Sequence, residues 1–516
     1  MKINSRSILV TIFISVICTL AAAPATSIDY KIQINPNDLS GFDIEMRIPT
    51  SRGTLRVAMA AHPEYDDRYW RYIENFSAGG PGGRKLSVVK EGDAVWRIDN
   101  TAGDTLVRYR LRFPPHDPTQ PRDAWKPFLT ATGGMVGDLH SLMYVVGAEG
   151  ARSRLVLDMP ANWAAASGLE PTPEPRTFTA PVELMLDSPV IVGKFREWKF
   201  NAGRVPHKII VWSPAESPDF DAAALISGVR RLAEEAIKAF GPPPYERYAF
   251  LFQNGGEAAL EHLTSVNIGH EFSRGSDGLF EEIAHEYFHA WNLMDVRPNE
   301  RVGLQYKFAP PTGVLWWSEG ATIMFADYLM RRTGLSDPKE PRTKRLETEM
   351  ARYFSSPGYV RLSAETASRG DSDPLVMGDY FASTHLQGEL LSTMLDLTIR
   401  DSTQGRRGAK DVMTFLADKY DYRHGITNKD IENAAAHVCP GCDIHGFFKD
   451  HIYGAKRIDF DRYLGLIGMR AEVTRSPALN ADGRPVVDLR IGPLASDSDF
   501  KIRITNPQSA WGRAGL

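Results

Sequence analysis

Cysteine is scarce in this chain, with three residues in 516, and no block of like charge runs through it. Formal net charge is only -4, so there is no basic field to draw nucleic acid and no charged run of the kind that makes a disordered interaction tail. Long apolar runs are missing too. The one that exists, residues 8–20, is shorter than the ~20 residues needed to cross a bilayer, and none follows it. What remains is a globular composition, 43% hydrophobic and 24% charged, in a chain long enough for two to four domains. No internal repeat or low-complexity segment interrupts it.

The lone apolar run has a leader's grammar. Lys2 and Arg6 precede it, and Ala23-Pro24-Ala25 follows as a small-residue cleavage signal that would release a chain starting near Thr26. An exported, periplasmic protein is expected, with a retained signal anchor as the alternative. Cys18 lacks the small preceding residue of a lipoprotein cysteine. Removal of the leader leaves Cys439 and Cys442, as Cys-Pro-Gly-Cys after a helical segment ending near Val438, in a compartment that permits disulfides. A local Cys439–Cys442 disulfide is the preferred reading. A redox pair would need the motif at a helix start after a strand, and a second zinc site would need His437 and His445 to join it.

From residue 28 to about 205, short runs alternate apolar and polar residues, as in 29–35, 42–48 and 106–113, between Gly- and Pro-rich breaks. That period of two predicts β-strands in a sandwich-like domain. The period then changes. Asp219 is placed to cap a helix that shows Leu225, Val229, Leu232, Ile237 and Phe240 on one face and ends at Gly241. A strand over 248–253 follows, and helical patterns dominate to about 470.

The chemistry sits at residues 281–292, where His285, Glu286 and His289 stand in the spacing H-E-x-x-H. Residues four apart share a helix face, so both imidazoles can reach one metal ion with Glu286 beside them to handle a proton. Leu279, Phe280, Ile283, Ala284, Tyr287, Phe288 and Trp291 make the rest of the helix apolar, hence buried. Ser276 or Asp277 would cap it, and its end is expected near Asp295. Buried ionisable groups need partners, and a catalytic zinc ion keeps three protein ligands. Glu319, inside the apolar run 315–329, is the candidate third; a helix-start glutamate favoured by the helix dipole is the bland alternative.

These stretches resemble the glycyl aminopeptidase family of bacterial zinc metallopeptidases that carry a PDZ domain, within the thermolysin-like group. The resemblance is carried by residues 240–250, 259–262, 285–298, 316–322, 394–400 and 441–454, with 184–193 upstream, and most specifically by His-Glu-Tyr-Phe-His-Ala-Trp-Asn over 285–292. It implies an α+β multidomain chain: signal peptide 1–25, N-terminal β domain 26–205, thermolysin-like catalytic domain 206–400, a helical C-terminal part 401–475 and an incomplete PDZ-like domain 476–516. Residues 500–516 look like the opening of that last domain, so the chain is expected to be a fragment or truncation whose final stretch should be poorly ordered.

The resemblance also implies roles: one zinc ion on His285, His289 and Glu319, Glu286 as general base, and Glu261 meeting the free α-ammonium group of a peptide. Without it, Glu261 reads as a solvated carboxylate at a strand end. Two positions depart from the family. Ala259 stands where it has a glycine, and His385, in His385-Leu-Gln-Gly388, replaces a tyrosine that donates to the tetrahedral intermediate. His385 and the upstream Tyr380 are then competing oxyanion donors. The expected function is a zinc aminopeptidase acting on peptides with small first residues such as Gly or Ala. A zinc endopeptidase on exported polypeptides, or a catalytically weak scaffold, are the alternatives.

Overall fold

The computed structural model describes residues 27–62, 68–117, 119–214, 220–276, 278–307, 311–372 and 382–477, with residues 479, 482–484, 491–494, 501–504 and 513–514 beyond. It is a mixed α/β multidomain chain, β-rich at its N-terminal end and helical towards its C-terminal end.

The alternating segments form a nine-stranded sheet. Its main path runs Glu170–Pro171, Thr177–Pro181, Arg152–Asp158, Ser27–Gln33, Gly41–Met59, Val95–Arg112, Ile73–Gly79. Along Ser27–Gln33, Ile28, Tyr30 and Ile32 point inward and their neighbours outward, which is the period that marked the strand in the sequence. A second, four-stranded sheet contributes Val136, Val190 and Val192 to the same core. Phe195–Ala202 pairs along its length with Val205–Trp212, so the division expected at residue 205 runs through a hairpin of the next sheet.

That next sheet has five strands, in the order Phe195–Ala202, Val205–Trp212, Tyr248–Asn254, Ser265–His270, Ala259–Glu261. The short Ala259–Glu261 strand is its edge. Helix Ala222–Phe240 is capped by Asp221, whose side chain accepts from the Ala224 N–H at 2.9 Å; Asp219 lies outside the described residues, so the cap belongs to the later aspartate. Gly241 ends the helix at φ 94. Phe240, Phe288 and Phe325 meet with ring centroids 4.6 to 5.1 Å apart and join three helices, Ala222–Phe240, Leu279–Phe288 and Gly320–Thr333, into one core.

The helix Leu279–Phe288 is shorter than the sequence indicated. Gly278, in a left-handed conformation, occupies its N-cap position with no side-chain cap, and Asp277 lies outside the described residues. At the other end, His289 is the C-cap and Leu293 adopts φ 117, so the chain turns well before Asp295. Asn292 pins this turn. Its Nδ2 donates to the carbonyl oxygens of Trp317 at 2.9 Å and Ser318 at 3.2 Å, long-range bonds that helical periodicity does not register.

Beyond it, the helical part includes Arg342–Ser355, Thr384–Ser402, Ala409–Lys419 and Asn428–Val438. Cys439 and Cys442 are disulfide-bonded directly after the last of these. Of residues 476–516 mainly the pairing of Ile491–Leu494 with Lys501–Ile504 is described, so the PDZ-like expectation falls largely outside the described residues. Residues 1–26 fall outside them too. No described helix is long and apolar enough to cross a membrane.

Candidate functional site

His285 lies in the last turn of its helix and His289 directly after it, so their Nε2 atoms face each other at 2.9 Å. The Nδ1 of His289 donates to the backbone carbonyl of Asn292 at 2.9 Å, which holds the ring so that Nε2 is turned to the site. The tight turn after the helix therefore orients a candidate ligand.

Glu319 arrives from the second apolar run, which forms two helical pieces, Leu315–Ser318 and Gly320–Thr333, with Glu319 at the break. Its Oε2 lies 3.5 Å from His285 Nε2 and 3.3 Å from His289 Nε2. Asn292 binds this segment to the histidine turn, adding a bond to the Thr322 hydroxyl at 3.0 Å. One donor atom from each of His285, His289 and Glu319 lies within 4.8 Å of the others, and among the described residues this is the only such group of three or more.

Burial disfavours charge on each of the three. For His285 it prevails, with the neighbouring His289 charge, and pushes the imidazole down to about 4. For His289 it is outweighed by Glu319, helped by Glu261 and Glu286, so this imidazole is held well above its ordinary range. Glu319, its own burial outweighed by the histidines, is held well below the usual carboxylate range. Two imidazole nitrogens and one carboxylate, buried and converging, are the donor set of a three-ligand zinc site with room for water, and the residues fit that ion.

His385 joins from the helix Thr384–Ser402. Ser383 caps it, accepting from the Leu386 N–H at 3.3 Å, and His385 Nε2 lies 3.3 Å from Glu319 Oε2. Its ring is nearly parallel to that of His285, 19° off, with centroids 6.4 Å apart. Half-exposed, it stands outside the three-residue ligand group. The helix is set by a backbone contact: a Cβ on Gly388 would strike the Trp316 carbonyl, and one on Gly320 would strike Gly388 itself. Tyr380 lies outside the described residues.

Glu286 is half-buried on the zinc-motif helix, and Glu261 ends the edge strand. The charges of both carboxylates reach His289, and both also reach the buried Tyr248. The structure thus brings His285, Glu286, His289, Glu319, His385 and Glu261 to one place, from four separate stretches of chain. The disulfide is elsewhere: Cys442 Sγ lies 3.7 Å from the Thr398 carbonyl. Sequence reasoning did not single out Asn292 or the Gly320–Gly388 contact, because their function lies in bonds across the fold. The only local signal was Asn292 as the last residue of the extended motif.

Two solved structures share this architecture. An aminopeptidase N family protein from Idiomarina loihiensis superposes with a TM-score of 0.77 at 20% identity, covering 95% of this chain and 87% of that one. A mutant M1 zinc metallopeptidase from Deinococcus radiodurans, bound to a Tyr-Ser-Ala substrate, superposes with a TM-score of 0.53 at 15% identity, covering 84% of this chain and 94% of that one. At such identities the likeness is one of fold. Among curated proteins none matches the chain. The M61 N-terminal domain model matches residues 29–194, and the M61 glycyl aminopeptidase model matches residues 279–388, which contain His285, Glu286, His289, Glu319 and His385. The two models together match more than half of the chain, and it belongs to the M61 glycyl aminopeptidase family, as a zinc metallopeptidase.

Proposed function

We propose that this enzyme is an exported aminopeptidase that removes one residue at a time from peptides with a free amino terminus, small first residues such as Gly or Ala included. The observation that carries the reading is the place of Glu261. It is a carboxylate at the end of an edge strand, close enough for its charge to act on His289, where it can pair with a substrate's α-ammonium group. An extended peptide can lie along the open side of that strand with its amino terminus fixed there.

His285, His289 and Glu319 would hold a single zinc ion, which when bound supplies Lewis acidity, lowering the pKa of water towards ~7 and polarising a carbonyl oxygen. Glu286 takes the proton from the attacking water and returns it to the leaving amine. His385, on the open side of Glu319, donates a hydrogen bond to the oxygen on which charge develops; Tyr380 is the alternative donor. The disulfide between Cys439 and Cys442 favours an oxidising, extracytoplasmic compartment.

One Ala-initiated peptide, free and N-acetylated, tests the reading when incubated with zinc-loaded protein and with Glu286→Gln. Cleavage of the free peptide alone, lost in the variant, is expected. Equal cleavage of both forms would mean an endopeptidase, in which Glu261 has no ammonium partner.

A further inference from the structure

The zinc-motif helix Leu279–Phe288 is only 10 residues long, and no side chain caps its N-terminus. Its buried residues are Leu279, Ile283, Ala284, Tyr287 and Phe288, apolar but for one hydroxyl. Hydrophobic contacts are non-directional, so they fix how deep a helix sits better than how it is turned about its axis. Tyr287 can fix the turn. At 3.6 residues per turn it projects roughly 200° from His285 and roughly 160° from His289, on the face opposite both.

The Tyr287 hydroxyl lies 3.1 Å from His207 Nε2 and 2.5 Å from the Tyr245 hydroxyl, which is itself 3.3 Å from the same nitrogen. All three side chains are buried. The direction of each bond follows from one carbonyl. His207 Nδ1 is 2.9 Å from the Val205 oxygen, which can only accept, so Nδ1 carries the proton and Nε2 is the acceptor. Burial, opposed by that backbone bond, pushes the imidazole down to about 4, so it stays neutral and keeps its lone pair free for a phenol. Tyr287 is the nearer donor, and Tyr245 donates in turn to Tyr287. The chain of bonds thus ends on Val205–Trp212, a strand of the five-stranded sheet.

Packing alone does not call for these groups. Phenylalanine would fill the same space with no polar atoms to desolvate, as Phe240 and Phe288 do in the same core. Tyr245 follows Gly241 and three prolines, in the stretch 240–250 that carries the family resemblance and otherwise has no part in the site.

We propose that Tyr287 and His207 are positioning residues: their hydrogen bond sets the rotation of the zinc-motif helix against the sheet, and with it the aim of His285, Glu286 and His289. Tyr245 holds the phenol in place. The inference needs a metallopeptidase, whether or not the substrate's amino terminus is free. Because the phenol and the imidazoles leave opposite faces of one short helix, a slip at the Tyr287 oxygen turns the helix and returns at similar size at the ligand nitrogens. A displacement of about 1 Å at reacting groups costs on the order of 100-fold in rate.

Tyr287→Phe removes one oxygen and keeps the ring. In the full chain loaded with Co²⁺, its visible absorption band is expected to shift or change intensity relative to wild type. Zinc affinity, measured by competition with a chelator, should weaken by about tenfold. On an Ala-initiated peptide, kcat of the zinc form should fall by about 10- to 100-fold with KM within about twofold. His207→Gln, which keeps an acceptor, should stay closer to wild type in spectrum and kcat than His207→Leu. Tyr287→Phe combined with His207→Leu should be no worse than the poorer single variant, since both break one bond. A pair that serves stability alone would lower the unfolding midpoint and leave the cobalt spectrum and kcat of the folded protein unchanged, and that result overturns the proposal. Additive losses in the double variant overturn it too. If Tyr287→Phe does not fold, His207→Gln against His207→Leu decides, and identical cobalt spectra reject the positioning role. Spectrum and affinity are read without substrate, so an uncleaved peptide counts against the proposed activity while the positioning role is still decided.

Discussion

His385 Nε2 stands 3.3 Å from Glu319 Oε2, the same carboxylate oxygen that faces His285 and His289. A histidine thus reaches the site from outside the ligand group. His385→Phe is expected to lower kcat by about 100-fold while zinc content stays at one per chain, because an oxyanion donor acts on the transition state and not on the ion. Zinc loss in that variant, read by elemental analysis of dialysed protein, would make His385 a ligand.

Glu286→Gln keeps the shape of the side chain and removes the base. We expect kcat to fall by about a thousandfold or more, with zinc retained and KM little changed. Steady-state kinetics of a free peptide, paired with zinc analysis, separates this from a structural defect.

Asn292 links the two ligand-bearing segments through bonds to Trp317, Ser318 and Thr322. Asn292→Ala should weaken zinc binding by about 10- to 100-fold, as loss of the partners that orient metal ligands does elsewhere. It should also cost about 1–3 kcal/mol of stability by orphaning buried carbonyls. A competition titration against a chelator and a denaturation curve measure the two effects; unchanged zinc affinity would remove Asn292 from the support of the site.

Gly388→Ala would place a methyl group against the Trp316 carbonyl, which is backbone and cannot rotate away. A loss of about 3 kcal/mol is expected, because the helix carrying His385 must shift off the Glu319 segment. The midpoint of chemical unfolding reports it.

Asp295, in the turn after His289, is pushed up to about 7 from 3.8, by burial first and the nearby Asp421 charge second, against the Tyr422 N–H and Arg297. The folded carboxyl therefore holds a proton that the unfolded one has released. Its contribution to stability is complete below about pH 4 and is lost as pH rises through about 7. Asp295→Asn should abolish that slope and stabilise the protein at pH 8, by something on the order of 2–4 kcal/mol. Unfolding midpoints at pH 5 and 8 test the sign: a wild-type midpoint that does not fall between them rejects it.

Much of this was legible in the chain because local periodicity carries it. The H-E-x-x-H spacing put His285 and His289 on one face, and alternation in residues 29–35 marked a strand. Gly241 marked a helix end. What was hidden depends on distant parts of the fold. The helix stops at Phe288 because Asn292 is bound to residues 25 and 26 positions later, whereas apolar periodicity runs on past it. The sequence pointed to Asp219 as the cap, and only the hydrogen bond to the Ala224 N–H assigns the role to Asp221.

The contact of Gly320 with Gly388 is made by main chain alone, and main chain cannot be trimmed or swapped by substitution. Side chains elsewhere in the helical core can drift in size over evolutionary time and be compensated by their neighbours. Here there is no neighbour to compensate. The spacing between Glu319 and His385 is thereby insulated from such drift, so the residue at position 385 can change with the seat it occupies left in place.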